Sequence, residues 1–133
     1  EALVYLHNHE RIIIHGDLKA ANLLFDGKNV KLTDFGDSRI LGSQIPNIKV
    51  SHSGVRFDDI KGSILWMAPE ILREKPIGTR SDIWSLGQTM LELATAKNPW
   101  PEIQSVGELI MKVMDGTAPT LPGGLSPMAT DFI

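Results

Sequence analysis

The stretch of sequence that decides the fold is His15-Gly16-Asp17-Leu18-Lys19-Ala20-Ala21-Asn22, and a second stretch, Asp34-Phe35-Gly36, follows it. Between them, two short apolar runs flank Asp26-Gly27-Lys28-Asn29, a pattern typical of a β-hairpin. A hairpin at this place can fold the second stretch back over the first. We therefore expect four polar side chains to meet around one point: Asp17, Lys19, Asn22 and Asp34.

The composition is that of an ordinary globular domain. The chain has 133 residues, of which 42% are hydrophobic and 22% are charged. Its net charge of −3 gives no reason to expect a nucleic acid or an anionic membrane as a partner. No apolar run approaches the roughly 20 residues that a membrane-spanning helix needs. The absence of cysteine is compatible with a reducing cytosol, and we expect a cytoplasmic protein.

The pattern along the chain predicts a mostly helical domain. A helix should end near Asn8-His9, and a short extended run should follow at Ile12–Ile14. Residues 81–94 are apolar or small over nearly the whole circumference, which predicts a helix in the middle of the core. A more amphipathic helix is expected over Ser105–Asp115, with Trp100 packed beneath it, whereas residues 37–64 show no periodicity.

Both ends of the sequence look interrupted. Glu1 starts inside an apparent helix without a preceding Met, and Ser126-Pro127 has the pattern of a new helix start close to the last residue. We therefore expect a fragment that is incomplete at both ends.

The motifs and their order resemble the protein kinases. The run 15–22 matches their signature H-x-D-L-x-x-x-N, except that Gly16 stands where the signature continues with Arg. Asp34-Phe35-Gly36, Ala68-Pro69-Glu70 and the run 81–87 follow in the family's order. The resemblance implies a mainly α fold with a small β-hairpin, namely the C-terminal lobe of the α+β protein-kinase-like fold, without the N-terminal lobe. It implies that residues 1–133 are part of one kinase domain, with a catalytic loop at 15–22, a magnesium motif at 34–36, an activation segment at 34–70 and a central helix at 81–94.

Phosphoryl transfer from ATP needs positioned charges more than covalent chemistry, and the polar residues suit it. Asp17 fits the base near the substrate hydroxyl, and Lys19 fits the cation on the transferring phosphate. Asn22 and Asp34 supply the hard oxygen ligands that Mg²⁺ prefers. The resemblance further implies that Lys19, Asn22, Leu24 and Asp34 line the ATP site, with ATP and Mg²⁺ as cofactors.

Two positions indicate the substrate class within the resemblance. A Lys two residues after the catalytic Asp, as at Lys19, is the pattern of Ser/Thr kinases. Ser63 stands where those kinases carry a hydroxyl that bonds to the catalytic Asp and Lys. The whole segment most resembles the mitogen-activated protein kinase kinase kinases, which implies a protein substrate, such as a downstream kinase, as the partner.

Other residues have structural roles in the resemblance. His15 and Phe35 should stack in the core, and Asp82 should hold the backbone amides of the catalytic loop. Glu70 should pair with an Arg beyond Ile133, so we expect it to have no partner within this chain. His7 and His9 show no metal-ligand spacing and are expected at the surface.

Gly16 sets this sequence apart. In regulated kinases the Arg at this position pairs with a phosphate on the activation segment, through a planar fork that glycine lacks. Arg39 matches a second family position that touches the same phosphate. We therefore expect activity that depends only weakly on phosphorylation of the segment that contains Ser43, Ser51 and Ser53.

Two other functions stay open at this point. The chain contains no Gly-rich loop, no strand Lys and no helix Glu to pair with it, so a parent that also lacks them would be a pseudokinase, a binding platform without catalysis. Gly16 also matches the loop of the aminoglycoside and choline phosphotransferases. Those enzymes usually lack the motifs at 34–36, 68–70 and 81–87, which disfavours a small-molecule substrate.

Overall fold

The computed structural model describes residues 1–41, 63–73, 75 and 77–133. Within these ranges the helices are α1 Ala2–His7, α2 Pro69–Leu72, α3 Thr79–Thr95, α4 Val106–Met114 and α5 Pro127–Phe132. The strands are β1 Ile13–Ile14, β2 Leu23–Phe25, β3 Val30–Leu32 and β4 Arg39–Ile40. Most of the expected activation segment, including Ser43, Ser51 and Ser53, lies outside the described residues.

The predicted hairpin is confirmed. Strands β2 and β3 pair antiparallel, with Leu23 opposite Leu32 and Phe25 opposite Val30. The turn is built by Asp26, whose carboxylate accepts hydrogen bonds from the backbone N–H groups of the residues at 28 and 29, at 3.0 and 2.8 Å. An Asx side chain that caps its own turn in this way fixes the register of the two strands.

A second small sheet was not anticipated. Strand β1 pairs antiparallel with β4, with Ile13 opposite Ile40 and Ile14 opposite Arg39. The sequence around β4 is polar and without periodicity, so no pattern indicated a strand there. This pairing holds the segment after Gly36 against the catalytic loop, where the Ser38 hydroxyl donates to the carbonyl of His15 at 3.1 Å.

Helix α3 contains the predicted central helix but is less completely enclosed than expected. Ile83 and Leu93 are 45% and 61% exposed. The buried face is largely polar, and its hydroxyls bond to backbone carbonyls: Ser85 donates to Trp66 at 2.7 Å, and Thr89 donates to Ser85 at 2.6 Å. Satisfied hydroxyls can be buried at little cost, so the expectation of an apolar face all round was wrong.

The main hydrophobic core lies between α2, α4 and the 3₁₀ turn Ile64–Trp66. Trp100 is at its centre and is 1% exposed, as its predicted packing requires. Helix α4 begins after Ser105, whose hydroxyl accepts a hydrogen bond from the Glu108 N–H at 3.2 Å. The core is completed by Ile64, Leu72, Leu109, Ile110 and Val113.

In the described residues, no helix is long and apolar enough to cross a membrane.

Gly16 is required by the backbone. Its φ is +82°, and a Cβ built there would lie 3.0 Å from the carbonyl oxygen of Asp37. Gly27 in the hairpin turn has a similar φ of +91°, but a Cβ there would meet nothing within 4 Å. A side chain at either glycine would strain the backbone, but only a side chain at Gly16 would also come too close to a neighbouring atom.

Replacing each glycine with alanine tests this difference. Gly27→Ala should lower the free energy of unfolding by about 1 kcal/mol, the cost of a left-handed L-residue. Gly16→Ala should lower it by roughly 1 kcal/mol more, since the new methyl group must displace Asp37. Urea denaturation measures both values, and equal losses would contradict the close approach at Gly16.

Candidate active site

The loop 15–22, which is the expected catalytic loop, brings three of the predicted residues into contact. The Lys19 ammonium donates to Oδ2 of Asp17 at 2.7 Å, and Nδ2 of Asn22 donates to the same oxygen at 3.0 Å. Asn22 also donates to the backbone carbonyl of Asp17 at 2.7 Å. The 3₁₀ turn Ala20–Asn22 makes this possible, because it reverses the chain and places Asn22 beside Asp17.

Ser63, which lies in the second half of the expected activation segment, joins this cluster. The Lys19 ammonium donates to its hydroxyl oxygen at 2.8 Å, across 44 residues of sequence. The hydroxyl of Ser63 also contributes to lowering the pKa of Asp17. Ser63 is therefore connected to the loop 15–22 through Lys19.

These neighbours control the charge of Asp17. Burial alone would raise its pKa, but the hydrogen bonds from Lys19, Ser63 and Asn22, together with the positive charge of Lys19, outweigh burial and lower the pKa below its ordinary value. Asp17 is therefore ionised at neutral pH, with its carboxylate largely buried and directed at donors.

Asp82 holds the backbone at the start of the loop 15–22. It is 1% exposed, and its two oxygens accept the backbone N–H groups of His15 and Gly16, each at 2.9 Å. This arrangement confirms the role expected for Asp82. The bond to Gly16 holds the backbone at the point where its φ is positive.

His15 connects the loop to the residues before Asp34. Its Nε2 lies 3.0 Å from the carbonyl oxygen of Thr33, and its Nδ1 accepts from the Asp17 N–H at 3.3 Å. Because a carbonyl only accepts, Nε2 carries the proton. The ring contacts Phe35 edge-on at 5.0 Å, as expected, but Phe35 is 48% exposed and so does not lie in the core.

Asp34 is held near this cluster through its neighbour in sequence. The Thr33 N–H and hydroxyl both donate to the Asn22 carbonyl, at 2.9 and 3.1 Å. Asp34 itself has a φ of +60° and accepts the Gly36 N–H at 3.3 Å. Among the described residues it makes no hydrogen bond to Asp17 or Asn22, so the structure unites three of the four predicted side chains directly and the fourth through the backbone.

The donor set fits magnesium in part. Both hydrogen bonds of the Asn22 side chain use Nδ2, which leaves its amide oxygen to face a cation. With Asp34 this gives two hard oxygen donors, and Mg²⁺ ordinarily completes its shell with water and phosphate. Within the described ranges no group of three or more His, Cys, Asp or Glu residues is placed to hold a metal without such help.

Leu24 lies on the open side of the hairpin and is 57% exposed. Its neighbour Leu23 points instead into an apolar cavity of about 360 Å³, lined also by Leu18, Leu32 and Leu86. The alternation of a β-strand accounts for this difference. Contact between Leu24 and a nucleotide stays a prediction.

Arg39 faces the space beside Gly16. A cavity of about 160 Å³ is lined by Gly16, Asp17, Asp37, Arg39 and Ser63, together with apolar residues. In the part of the chain that the structure describes, Nη1 of Arg39 is buried and has no hydrogen-bond partner. A buried Nη1 without a partner favours a hydrogen-bond acceptor in its vicinity, and two carboxylates, those of Asp17 and Asp37, already line the same cavity.

The contacts of three residues were missed by sequence reasoning. His7 was expected at the surface, but it is 14% exposed and its Nε2 lies 2.8 Å from Oδ2 of Asp82. Glu70 was expected to lack a partner, but it accepts the hydroxyl of Ser81 at 2.7 Å. Glu92 accepts two hydrogen bonds from distant segments. None of these pairs is close in sequence, so no local spacing signals them.

The charge of Lys19 can be tested through Asp17. Lys19→Met removes one hydrogen bond and one charge while burial remains, so the pKa of Asp17 should rise, as measured by the ¹³C shift of its carboxyl group against pH. A carboxylate with a lowered pKa stabilises the fold above its ordinary pKa and loses this contribution as pH falls through the folded-state pKa. As the pH is lowered, the Lys19→Met variant should therefore lose the stabilisation from Asp17 at a higher pH than the original chain does.

Lys31→Met is the matched control. Lys31 pairs with the exposed carboxylate of Asp26 at 2.9 Å, and removing it should leave the titration of Asp17 unchanged. A titration of Asp17 that is the same in Lys19→Met as in the original chain would contradict the role of Lys19.

Comparison with known proteins agrees with this geometry. The family model of the protein kinase domain matches residues 1–133. Mitogen-activated protein kinase kinase kinase 3 of Mus musculus is 37% identical over 100% of this chain and 20% of its own length. Mitogen-activated protein kinase kinase kinase A of Dictyostelium discoideum is 37% identical over 100% of this chain and 13% of its own. MAP3K epsilon protein kinase 1 of Brassica napus is 38% identical over 100% of this chain and 9% of its own length.

The chain thus spans a fifth or less of the length of these relatives. The match covers all the residues of the cluster around Asp17. The chain belongs to the protein kinase domain family and is similar within it to mitogen-activated protein kinase kinase kinases.

Proposed function

We propose that this chain is large-lobe sequence from a Ser/Thr protein kinase that phosphorylates protein substrates as an upstream member of a signalling cascade. One observation carries the proposal: Asp17, Lys19, Asn22 and Ser63 form a single hydrogen-bonded network at distances of 2.7–3.0 Å. Such a network positions a carboxylate and a cation side by side, which is what phosphoryl transfer requires of the protein.

Each residue has one part in the reaction. Asp17, ionised because of its lowered pKa, accepts the proton of the substrate hydroxyl. Lys19 holds the phosphate while remaining bonded to Asp17. Asn22 and Asp34 would hold magnesium, and Leu24 would contact the nucleotide. The Mg²⁺–ATP pair supplies the phosphoryl group.

The substrate class is inferred from two features. Lys19 and Ser63 follow the Ser/Thr pattern and contact each other. The relatives are named as kinases that act on other kinases of a cascade, which favours a protein, and specifically a downstream kinase, as the substrate. A cytoplasmic location follows from this assignment.

The proposal favours an active kinase over a pseudokinase, because the base, the cation and both magnesium ligands are all retained in this lobe. It also disfavours a small-molecule phosphotransferase, since Ser63, Glu70 and α3 connect the activation segment to the site. Because the chain spans a fifth or less of the length of these relatives, the proposed activity is that of the whole protein.

Substitutions in the full-length parent test the proposal. Asp17→Asn and Asp34→Ala should each lower kcat by two orders of magnitude or more, because general-base and metal contributions are of that size. Asp26→Asn, which alters an exposed carboxylate of the hairpin turn, is the control and should retain activity. Undiminished phosphorylation by Asp17→Asn would overturn the assignment.

Residues 1–133 alone should show no measurable kinase activity. Incubation with ATP and a generic basic substrate, with the Asp17→Asn chain in parallel, measures this. Phosphate incorporation that depends on Asp17 would show that the chain is sufficient and would contradict the assignment as part of a larger domain.

The effect of Gly16 can be measured on the activation segment. Because Gly16 offers no guanidinium to a phosphate and only Arg39 remains, replacing Ser43, Ser51 and Ser53 together with Ala should leave most of the activity of the parent. A hundredfold loss of kcat/KM in this triple variant would show that the segment's phosphorylation controls catalysis despite Gly16.

A further inference from the structure

We propose that Glu92 is a positioning residue, whose carboxylate ties the catalytic loop and the end of the activation segment to helix α3 and thereby sets the contact between Lys19 and Ser63. The inference rests on the proposed function and adds a residue to it. The motifs of the sequence do not include Glu92.

The contact itself is a convergence of two donors on one oxygen. Oε2 of Glu92 accepts the backbone N–H of Ala20 at 2.9 Å and the indole Nε1–H of Trp66 at 3.0 Å. These donors are 72 and 26 residues from Glu92 in sequence. Hydrogen bonds to a carboxylate are stronger than those to a neutral acceptor, more so in a partly buried place.

The two donors stand directly beside the reacting groups. Ala20 follows Lys19, and Trp66 closes the 3₁₀ turn that starts at Ser63, with its own N–H bonded to the Ser63 carbonyl at 3.1 Å. Lys19 and Ser63 then meet at 2.8 Å. The contacts form a closed ring that runs from Glu92 through Ala20 and Lys19 to Ser63 and returns through Trp66. Within this ring, Glu92 is the member that lies on helix α3.

The helix makes the ring rigid. Trp66 is 9% exposed, and its carbonyl accepts a second bond from α3, the hydroxyl of Ser85 at 2.7 Å. Movement of Ala20 or Trp66 away from α3 would open the ring and separate the Lys19 ammonium from the Ser63 hydroxyl. A displacement of about 1 Å at such a point can cost on the order of a hundredfold in rate.

An alternative role for Glu92 is direct binding of a basic side chain of the substrate. The two roles differ in what they ask of the carboxylate. Positioning needs an acceptor oxygen, which glutamine also has, whereas binding a cation needs the charge. The geometry favours positioning, because Oε2 of Glu92 already accepts hydrogen bonds from two donors of this chain, Ala20 and Trp66.

Substitution of Glu92 in the full-length parent separates these roles. Glu92→Ala should lower kcat by 10- to 100-fold with little change in KM for ATP, and Glu92→Gln should retain at least half of the kcat. Glu102→Ala, which removes an exposed carboxylate paired with Lys112, is the control and should retain activity. Equal losses in Glu92→Gln and Glu92→Ala, with a raised KM for the protein substrate, would assign Glu92 to substrate binding and overturn the proposal.

A double-mutant cycle tests the bond to Ala20. Ala20→Pro removes the donor, and the backbone accepts it: Lys19 is extended, at φ −162° and ψ 162°, and Ala20 is the first residue of its turn. Ala20→Pro should lower kcat in the parent and have no further effect in Glu92→Ala. Additive losses would overturn the coupling.

A measurement without catalysis keeps the inference apart from the proposed function. In residues 1–133, Glu92→Ala should shift the backbone N–H resonance of Ala20 and the indole N–H resonance of Trp66, because both groups lose their shared acceptor, and it should also shift the backbone N–H resonances of Lys19 and Ser63. Glu92→Gln should change these resonances much less. Unchanged resonances of Lys19 and Ser63 in Glu92→Ala would overturn the inference, whereas a parent without Asp17-dependent activity would overturn only the proposed function.

Discussion

The buried carboxylate of Asp82 is the interaction on which the site depends. A charge with 1% exposure is tolerated only when donors surround it, and here the donors are the N–H groups of His15 and Gly16 and the ring of His7. The same bonds that satisfy the charge therefore determine the path of the backbone into Asp17. Loss of the carboxylate would leave both amides unsatisfied at the start of the catalytic loop.

Helix α3 serves as a common support for segments that are far apart in sequence. Its first turn holds the catalytic loop through Asp82 and the start of α2 through Ser81 and Glu70. Its later turns hold Trp66 through Ser85 and Glu92. This explains why the buried face of α3 is polar: the helix stabilises loops by hydrogen bonds, while the apolar core lies to one side around Trp100.

The features that were predictable from sequence depend on short spacing. Asp17, Lys19 and Asn22 lie within six residues of one another, and the hairpin and the cap at Ser126 are likewise local. Pairings such as His7 with Asp82 join residues that are 75 positions apart, and no periodicity encodes them. Strand β4 was missed for a related reason, because its two residues are defined by a partner strand and not by their own propensity.

Gly16 shows how packing can retain a residue. In the genetic code, arginine is a single-nucleotide change away from glycine, so the residue of the kinase signature is easily reached by mutation. The barrier is conformational: the new residue would have to adopt a φ of +82° and move the Asp37 carbonyl away from its Cβ. A change of Gly16 to Arg would therefore gain a phosphate-binding side chain only together with a compensating change near Asp37.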